Sequence, residues 1–319
     1  MTNPIQCDNE GRLRHLLTLE GLPRGALEAL LDRAQALTEA ARGGTSLRGR
    51  LAGRTACTLF FEPSTRTRGS FQLAAQRLGM DVVNVDVSTS SAKKGETDLD
   101  TLRTLEAMGV DAFIVRHGHS GAVDDLAAGA AAGTVLVNGG DGTRAHPTQG
   151  LLDMLTLRQA KGQDFSGLKV VVVGDVRHSR VARSDIHALK ALGIGELRVC
   201  GPAGLLPDRA DPLLAGVVST ASLDEAVEGV DAVFMLRLQR ERMEEGLVPS
   251  LDGYFAAYGL DERRLARARP DAVVLHPGPM NRGVEISPEV ADGPRSLILR
   301  QVANGVAVRM AVLEQLLAG

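Results

Sequence analysis

TACTLFFEPSTRTRGSFQLAAQRL, Thr55 to Leu78, is the stretch from which the architecture can be read. Its first seven positions are rich in β-formers, Pro63 breaks the run, and Phe71, Ala74, Ala75 and Leu78 then recur at i, i+3, i+4, i+7. The pattern predicts a strand over Thr55–Phe61, a sharp turn, and an amphipathic helix with a polar first turn. Ser64, Thr65, Arg66, Thr67 and Arg68 crowd into that turn.

A helix N-terminus has backbone N–H groups without intrahelical acceptors and about half a positive charge from the helix dipole, so added hydroxyls and a guanidinium make a cradle for phosphate. The plainer reading is a serine cap beside solvated arginines. A cap accounts for one hydroxyl and leaves the rest of the cluster unexplained.

The same alternation continues along the chain. Strands are predicted at Asp81–Val87, Ala112–Arg116, Thr134–Asn138, Lys169–Gly174, Glu196–Cys200, Ala232–Leu236 and Ala272–Leu275. Leu99, Leu102, Leu105 and Met108 mark a second amphipathic helix; Leu151, Leu152, Leu155 and Leu157 mark a third, opening after His146-Pro147. The loop Gly139–Pro147 is the nearest thing to a domain boundary, and Leu297–Leu317 reads as a closing helix. With 319 residues the expectation is an α/β protein of two domains, each a mainly parallel sheet flanked by helices.

A hydrophobic fraction of 44% and a charged fraction of 24% are those of a folded globular chain. The net charge of −3 offers no general field for nucleic acid or an anionic membrane, so an anion site has to be local. MTNPIQCDNEGRLRHLL lacks the order of a secretory signal and no apolar run is long enough to span a bilayer, which gives a cytoplasmic expectation. Cys7, Cys57 and Cys200 lack ligand spacing and are expected reduced and mostly buried.

Two familiar phosphate motifs are absent: Gly162 and Gly167 have the P-loop interval but are followed by Leu168-Lys169, and the turn after KVVVVG lacks the later glycines of a dinucleotide fingerprint. STSSAKKGE, Ser88 to Glu96, holds two of the five lysines, which suits a loop closing over an anion or simply a solvated surface. Arg116 ends a strand, where ligands of open α/β sheets gather, while His117 and His119 are half of a possible metal site. His146 and Gln149 at a helix start can donate toward a carbonyl or oxyanion, or serve as caps. Arg180 and Arg237, after successive strands of the second half, suggest a dianionic substrate, and His276-Pro-Gly-Pro279 leaves backbone carbonyls outside any ladder.

FEPSTRTR, SAKKGE, RHGHSG, HPTQ, GDVRHSR, LRLQRER and HPGPMNRGVEI, in that order, resemble the motif series of the aspartate carbamoyltransferase catalytic chains, within the aspartate/ornithine carbamoyltransferase superfamily. The resemblance implies a carbamoyl-phosphate-binding domain over residues 1–148, an aspartate-binding domain over 149–296, and a terminal helix, about 297–319, returning to the first. It implies that Ser64, Thr65, Arg66 and Thr67 bind phosphate and that Arg116, His146 and Gln149 address the carbamoyl group. Ser90 and Lys94 would reach in from a neighbouring chain of a homotrimer. Arg180, Arg237 and Gln239 would hold L-aspartate, and the backbone of Gly278 and Pro279 would meet the carbamoyl nitrogen and the amine. The catalytic group would be Arg66, Thr67, Lys94, Arg116 and His146; no metal or organic cofactor is implied. Gly278 departs from a pattern in which many members carry Leu. An ornithine carbamoyltransferase, a hydrolase built on His117 and His119, and a non-catalytic binding protein are the competing readings. Whether a regulatory chain or a dihydroorotase-like partner binds is left open.

Overall fold

A computed structural model describes residues 3–8, 10–87, 95–238 and 250–318. The chain divides into two compact units, Met1–Leu155 with Ala303–Gly319, and Thr156–Val302.

The first unit holds α1 (Arg24–Arg42), β1 (Thr55–Phe60), α2 (Thr65–Leu78), β2 (Asp81–Asp86), α3 (Asp98–Ala107), β3 (Ala112–His117), α4 (Ala122–Gly129) and β4 (Val135–Asp141). α5 (Pro147–Lys161) begins in it. The second unit holds β5 (Lys169–Val173), α6 (Arg180–Ala191), β6 (Glu196–Cys200), β7 (Val218–Thr220), α7 (Leu223–Ala226), β8 (Ala232–Met235), α8 (Leu251–Tyr258), α9 (Glu262–Leu265), β9 (Val273–Leu275) and α10 (Pro288–Ala291). α11 (Ile298–Leu317) then enters the first unit again.

Each unit is a parallel sheet, ordered β2-β1-β3-β4 in the first and β7-β6-β5-β8-β9 in the second. Interior parallel strands are covered on both faces, which is why β3, β5 and β8 are buried almost residue by residue and read as largely apolar runs. The order reverses beside β1 in the first unit, whose chain goes to β2 on one side and β3 on the other. In the second it reverses between β5 and β8. Such reversals leave a crevice at the carboxyl ends of the strands, and the loops after β1, β3, β5 and β8 carry the residues singled out above.

Four sequence expectations need adjustment. β7 was not expected; at three residues, mostly exposed, it is too short to show a period. Gly139–Asp141 are strand and not loop, because β4 continues after a register shift that pairs His117 with Asp141. Met108 lies past the end of α3 and is 72% exposed, whereas Leu102 is fully buried. The first eleven residues of α5 are buried on every side, not on one face. All three cysteines are free and buried.

Candidate functional site

β1 delivers the chain to Pro63 and Ser64, and Ser64 takes the N-cap position of α2 with extended backbone. Its hydroxyl makes no capping bond, and no acidic residue stands in the first turn. Among the described helices entered through Ser, Thr or Asp, the other caps, Thr97, Ser179, Ser222, Ser250, Asp261 and Ser287, all accept from their own helix. The Ser64 side chain thus gives the first turn of α2 no acceptor. Thr65 and Arg66 are exposed and Thr67 is buried.

The two arginines of the motif separate. Arg68 donates to Asp86 Oδ2 at 3.1 Å and lies over the Phe60 ring, 5.1 Å from its centroid, so it fastens α2 to β2 and β1. Arg66 stands on the solvent side of the same turn.

Arg116, near the end of β3, donates from Nη1 to the Gly139 carbonyl at 3.0 Å and sits 3.4 Å from Glu62 of the β1–α2 turn. Both contacts anchor it beside the cradle. The next strand end is organised by Asp141, fully buried, which accepts from Asn138 Nδ2 (2.9 Å), Gly121 N (2.8 Å) and Ala145 N (3.1 Å). That network fixes the turn leading to His146.

His146 is buried and its carbonyl receives Gln149 N at 2.9 Å and Gly150 N at 3.2 Å. Pro147, which has no N–H to satisfy, then opens α5. The carboxamide of Gln149, expected as a donor, is turned the other way: Nε2 donates to Asp153 Oδ1 and Oδ2 at 3.0 and 3.2 Å. A carboxylate accepts only, so the nitrogen is assigned to that side and Oε1 is what Gln149 offers a ligand.

His117 is tied on both ring nitrogens. Nδ1 accepts from His119 N at 2.9 Å, and Nε2 lies 3.2 Å from Asp98 Oδ2. No group of three or more His, Cys, Asp or Glu among the described residues is placed to hold a metal ion. The His117 ring is thus committed to the strand end.

In the second unit β5 stops at Gly174, where a side chain would meet Leu236 and the Tyr254 hydroxyl at 3.2 Å and φ is 122°. Asp175, 1% exposed, accepts from His178 N at 3.1 Å and faces its ring Nδ1 at 2.9 Å. Burial raises the pKa of that carboxyl despite His178. This turn leads to Ser179, whose hydroxyl caps α6, and to Arg180, buried at its first position. Arg237 follows β8 directly. Both arginines thus stand at the carboxyl ends of the strands flanking the reversal.

The last loop leaves β9 at His276. Gly278, at φ 62°, donates its N–H to His276 Nδ1 at 2.8 Å; His276 Nε2 lies 3.1 Å from Glu285 Oε1, which also accepts from Asn281 N at 2.5 Å. Sequence reasoning passed over Glu285; the available signal was one carboxylate inside the run Val284-Glu285-Ile286. Ser90, Lys94 and Gln239 lie outside the described residues.

Two adjoining matches cover the chain: residues 14–159 match the aspartate/ornithine carbamoyltransferase carbamoyl-P binding domain, and residues 166–316 the Asp/Orn binding domain of the same family. The chain belongs to the aspartate/ornithine carbamoyltransferase family. It is 69% identical over 313 residues to the aspartate carbamoyltransferase catalytic subunit of Xanthomonas campestris pv. campestris strain B100, covering 98% of this chain and 99% of that one. The Stenotrophomonas maltophilia strain R551-3 catalytic subunit is equally similar, at 69% with 98% of each covered. Among solved structures, aspartate transcarbamoylase from Trypanosoma cruzi in complex with N-(phosphonacetyl)-L-aspartic acid superposes with a TM-score of 0.85 at 34% identity, covering 95% of this chain and 96% of that one. Ornithine carbamoyltransferase from Pyrococcus furiosus also gives 0.85, at 29% identity, with 96% and 97% covered.

Proposed function

We propose that this chain transfers the carbamoyl group of carbamoyl phosphate to the α-amine of L-aspartate, giving N-carbamoyl-L-aspartate and phosphate. The observation that carries the reading is Ser64: it occupies a cap position yet makes no capping bond to α2, in a turn with no acidic residue and with Arg66 exposed. A doubly charged phosphoryl group is the complement of such a turn.

Residues 1–148, with 297–319, hold carbamoyl phosphate; residues 149–296 hold aspartate. Ser64, Thr65, Arg66 and Thr67 take the phosphate, and Gln149 Oε1 accepts from the carbamoyl nitrogen. The uncharged amine attacks the carbonyl carbon; a C–N bond forms, the bond from carbon to the phosphate oxygen breaks, and the proton shed by nitrogen passes to the departing phosphate. Thr67, Arg116 and His146 stabilise the oxyanion of the tetrahedral species, and phosphate departs into the α2 cradle. Electrostatics set before reaction supply the acceleration, since removing one such donor costs about 3 to 4 kcal/mol in comparable sites. Arg180, Arg237 and Gln239 hold the two carboxylates, and the Gly278 and Pro279 backbone receives the nitrogens. No covalent enzyme intermediate is used.

Fold does not choose between aspartate and ornithine, because relatives acting on either superpose equally well. Two arginines at the second reversal and a final loop without cysteine favour the dicarboxylate. The 69% relatives agree. Purified protein given carbamoyl phosphate with aspartate or with ornithine should release phosphate and a ureido acid only with aspartate; product with ornithine alone overturns the reading.

The finer parts of the proposal are a homotrimer with shared sites, Ser90 and Lys94 coming from a neighbouring chain, and a cytoplasmic place early in pyrimidine synthesis. Among the described residues, no helix is long and apolar enough to cross a membrane. Lys94→Ala and Arg66→Ala chains, inactive alone, should regain part of their activity when subunits are exchanged; exchange without recovery rejects shared sites.

A further inference from the structure

The loop from His276 to Asn281 departs from β9 with Gly278 in the left-handed region, φ 62°, so local sequence alone does not hold its carbonyls in one direction. Glu285 does. Its side chain is wholly buried, and Oε1 collects two donors from the loop: Asn281 N at 2.5 Å and the His276 ring at 3.1 Å. The ring's tautomer follows from its other side. Gly278 N–H donates to Nδ1 at 2.8 Å, so Nδ1 is the acceptor and Nε2 carries the hydrogen given to Glu285.

Glu285 is itself anchored through its backbone, whose carbonyl accepts Leu260 N at 3.0 Å, while the neighbouring Ser287 N donates to the Leu260 carbonyl at 3.0 Å. His276 N is fixed to Gln301 Oε1 at 2.9 Å. One acidic side chain thus closes a ring: Glu285, His276, Gly278, Asn281 and back. Glu285 Oε2 has no hydrogen-bond partner, so this is not a group optimised for stability; a buried carboxylate with an unused oxygen is costly.

We infer that Glu285 is a positioning residue for the amino-acid substrate, acting through His276 to set the Gly278 and Pro279 carbonyls that receive its amine. The inference deepens the proposed aspartate transfer and rests on it. It also bears on Gly278: the freedom at that position is taken up by a side-chain strut from outside the loop.

The test uses the full-length chain with Glu285→Ala, Glu285→Gln and His276→Asn. Asn Oδ1 can replace Nδ1 as the acceptor for Gly278 N–H while the bond to Glu285 is lost. Glu285→Ala and His276→Asn should raise the aspartate KM and lower kcat, together by about tenfold to a hundredfold in kcat/KM, with a much smaller loss of affinity for carbamoyl phosphate, whose phosphate is held at α2. Glu285→Gln, which keeps an acceptor, should fall between wild type and Ala. Hydrogen exchange at the Gly278 and Asn281 amides, measured without substrates, should speed up in Glu285→Ala; this readout stands even if the substrate assignment fails. Should Glu285→Ala not fold, His276→Asn decides the kinetics and Glu285→Gln the amide exchange. Unchanged exchange together with unchanged aspartate kinetics overturns the inference. So does an equal loss of affinity for both substrates, which would mark a purely structural role.

Discussion

α2 and α3 begin within the same unit and meet the same physical problem in opposite ways. α3 is closed by its own residues: Thr97 Oγ1 accepts from Asp100 N at 3.1 Å, Asp100 Oδ2 accepts in return from Thr97 N, and Asp98 and Asp100 face the dipole with negative charge. α2 has a serine in the same position that caps nothing, no carboxylate in its first turn, and an exposed Arg66. A cap is worth about 1 kcal/mol, so α2 forgoes stability that α3 takes. The difference separates two uses of one residue position: among the described Ser, Thr and Asp starts, Ser64 is the one whose side chain gives its helix no acceptor, and it is the start we propose for phosphate.

The largest test of the contrast separates the two arginines. Arg66→Ala should lower turnover by about a hundredfold to a thousandfold with the melting temperature nearly unchanged. Arg68→Ala should instead cost about 1 kcal/mol in denaturant unfolding while most turnover is kept, since its work is the Asp86 pair and the Phe60 face. If Arg68→Ala proves as inactive as Arg66→Ala, the division of labour is wrong.

Next come the two caps. Ser64→Ala should weaken carbamoyl phosphate binding by about tenfold, the size of one charge-assisted hydrogen bond, without loss of stability. Thr97→Ala should do the reverse, losing about 1 kcal/mol of stability with normal kinetics. Equal destabilisation by both would show Ser64 to be an ordinary cap. Inorganic phosphate offers a third measurement: at a hundred times its Kd it should stabilise the wild type by about 2.7 kcal/mol, and less in Ser64→Ala at the same concentration.

The smallest effect concerns guanidinium groups that are already paired. Glu314 of α11 receives Arg33 Nε and Nη2 at 2.5 and 2.7 Å and Arg50 Nη1 at 2.7 Å. Arg33's bond, then Arg50's, hold its carboxyl below the ordinary value of 4.5. Folded-state pKa below the unfolded one means the pair stabilises fully above pH 4.5 and loses its contribution as pH falls through the lowered value. Glu314→Gln should therefore lower the melting temperature at neutral pH and narrow its gap to wild type on acidification; a constant gap would count against the linkage.

The strand, turn and helix of Thr55–Leu78 were legible because both periods are local, and the residues at the sheet reversals were legible because strand ends are marked by abrupt changes of composition. What sequence could not supply depended on partners elsewhere. Gln149 points its oxygen outward because Asp153, one turn on, takes its nitrogen. Arg68 looks like Arg66 until Asp86 and Phe60 are placed beside it. Glu285 gains meaning only when its loop folds back onto it. Gly139 and Gly140 were misread for a related reason, since two glycines announce a turn unless a neighbouring strand, here β3, carries the ladder onward through a bulge.

Because the first unit takes up residues 303–319, the ribosome must finish all of the second before supplying the piece that completes the first. Throughout synthesis of the middle of the polypeptide, the surfaces of α1 that await Glu314 stay uncovered. The first unit therefore gains its full set of contacts last, while the inserted unit can settle earlier.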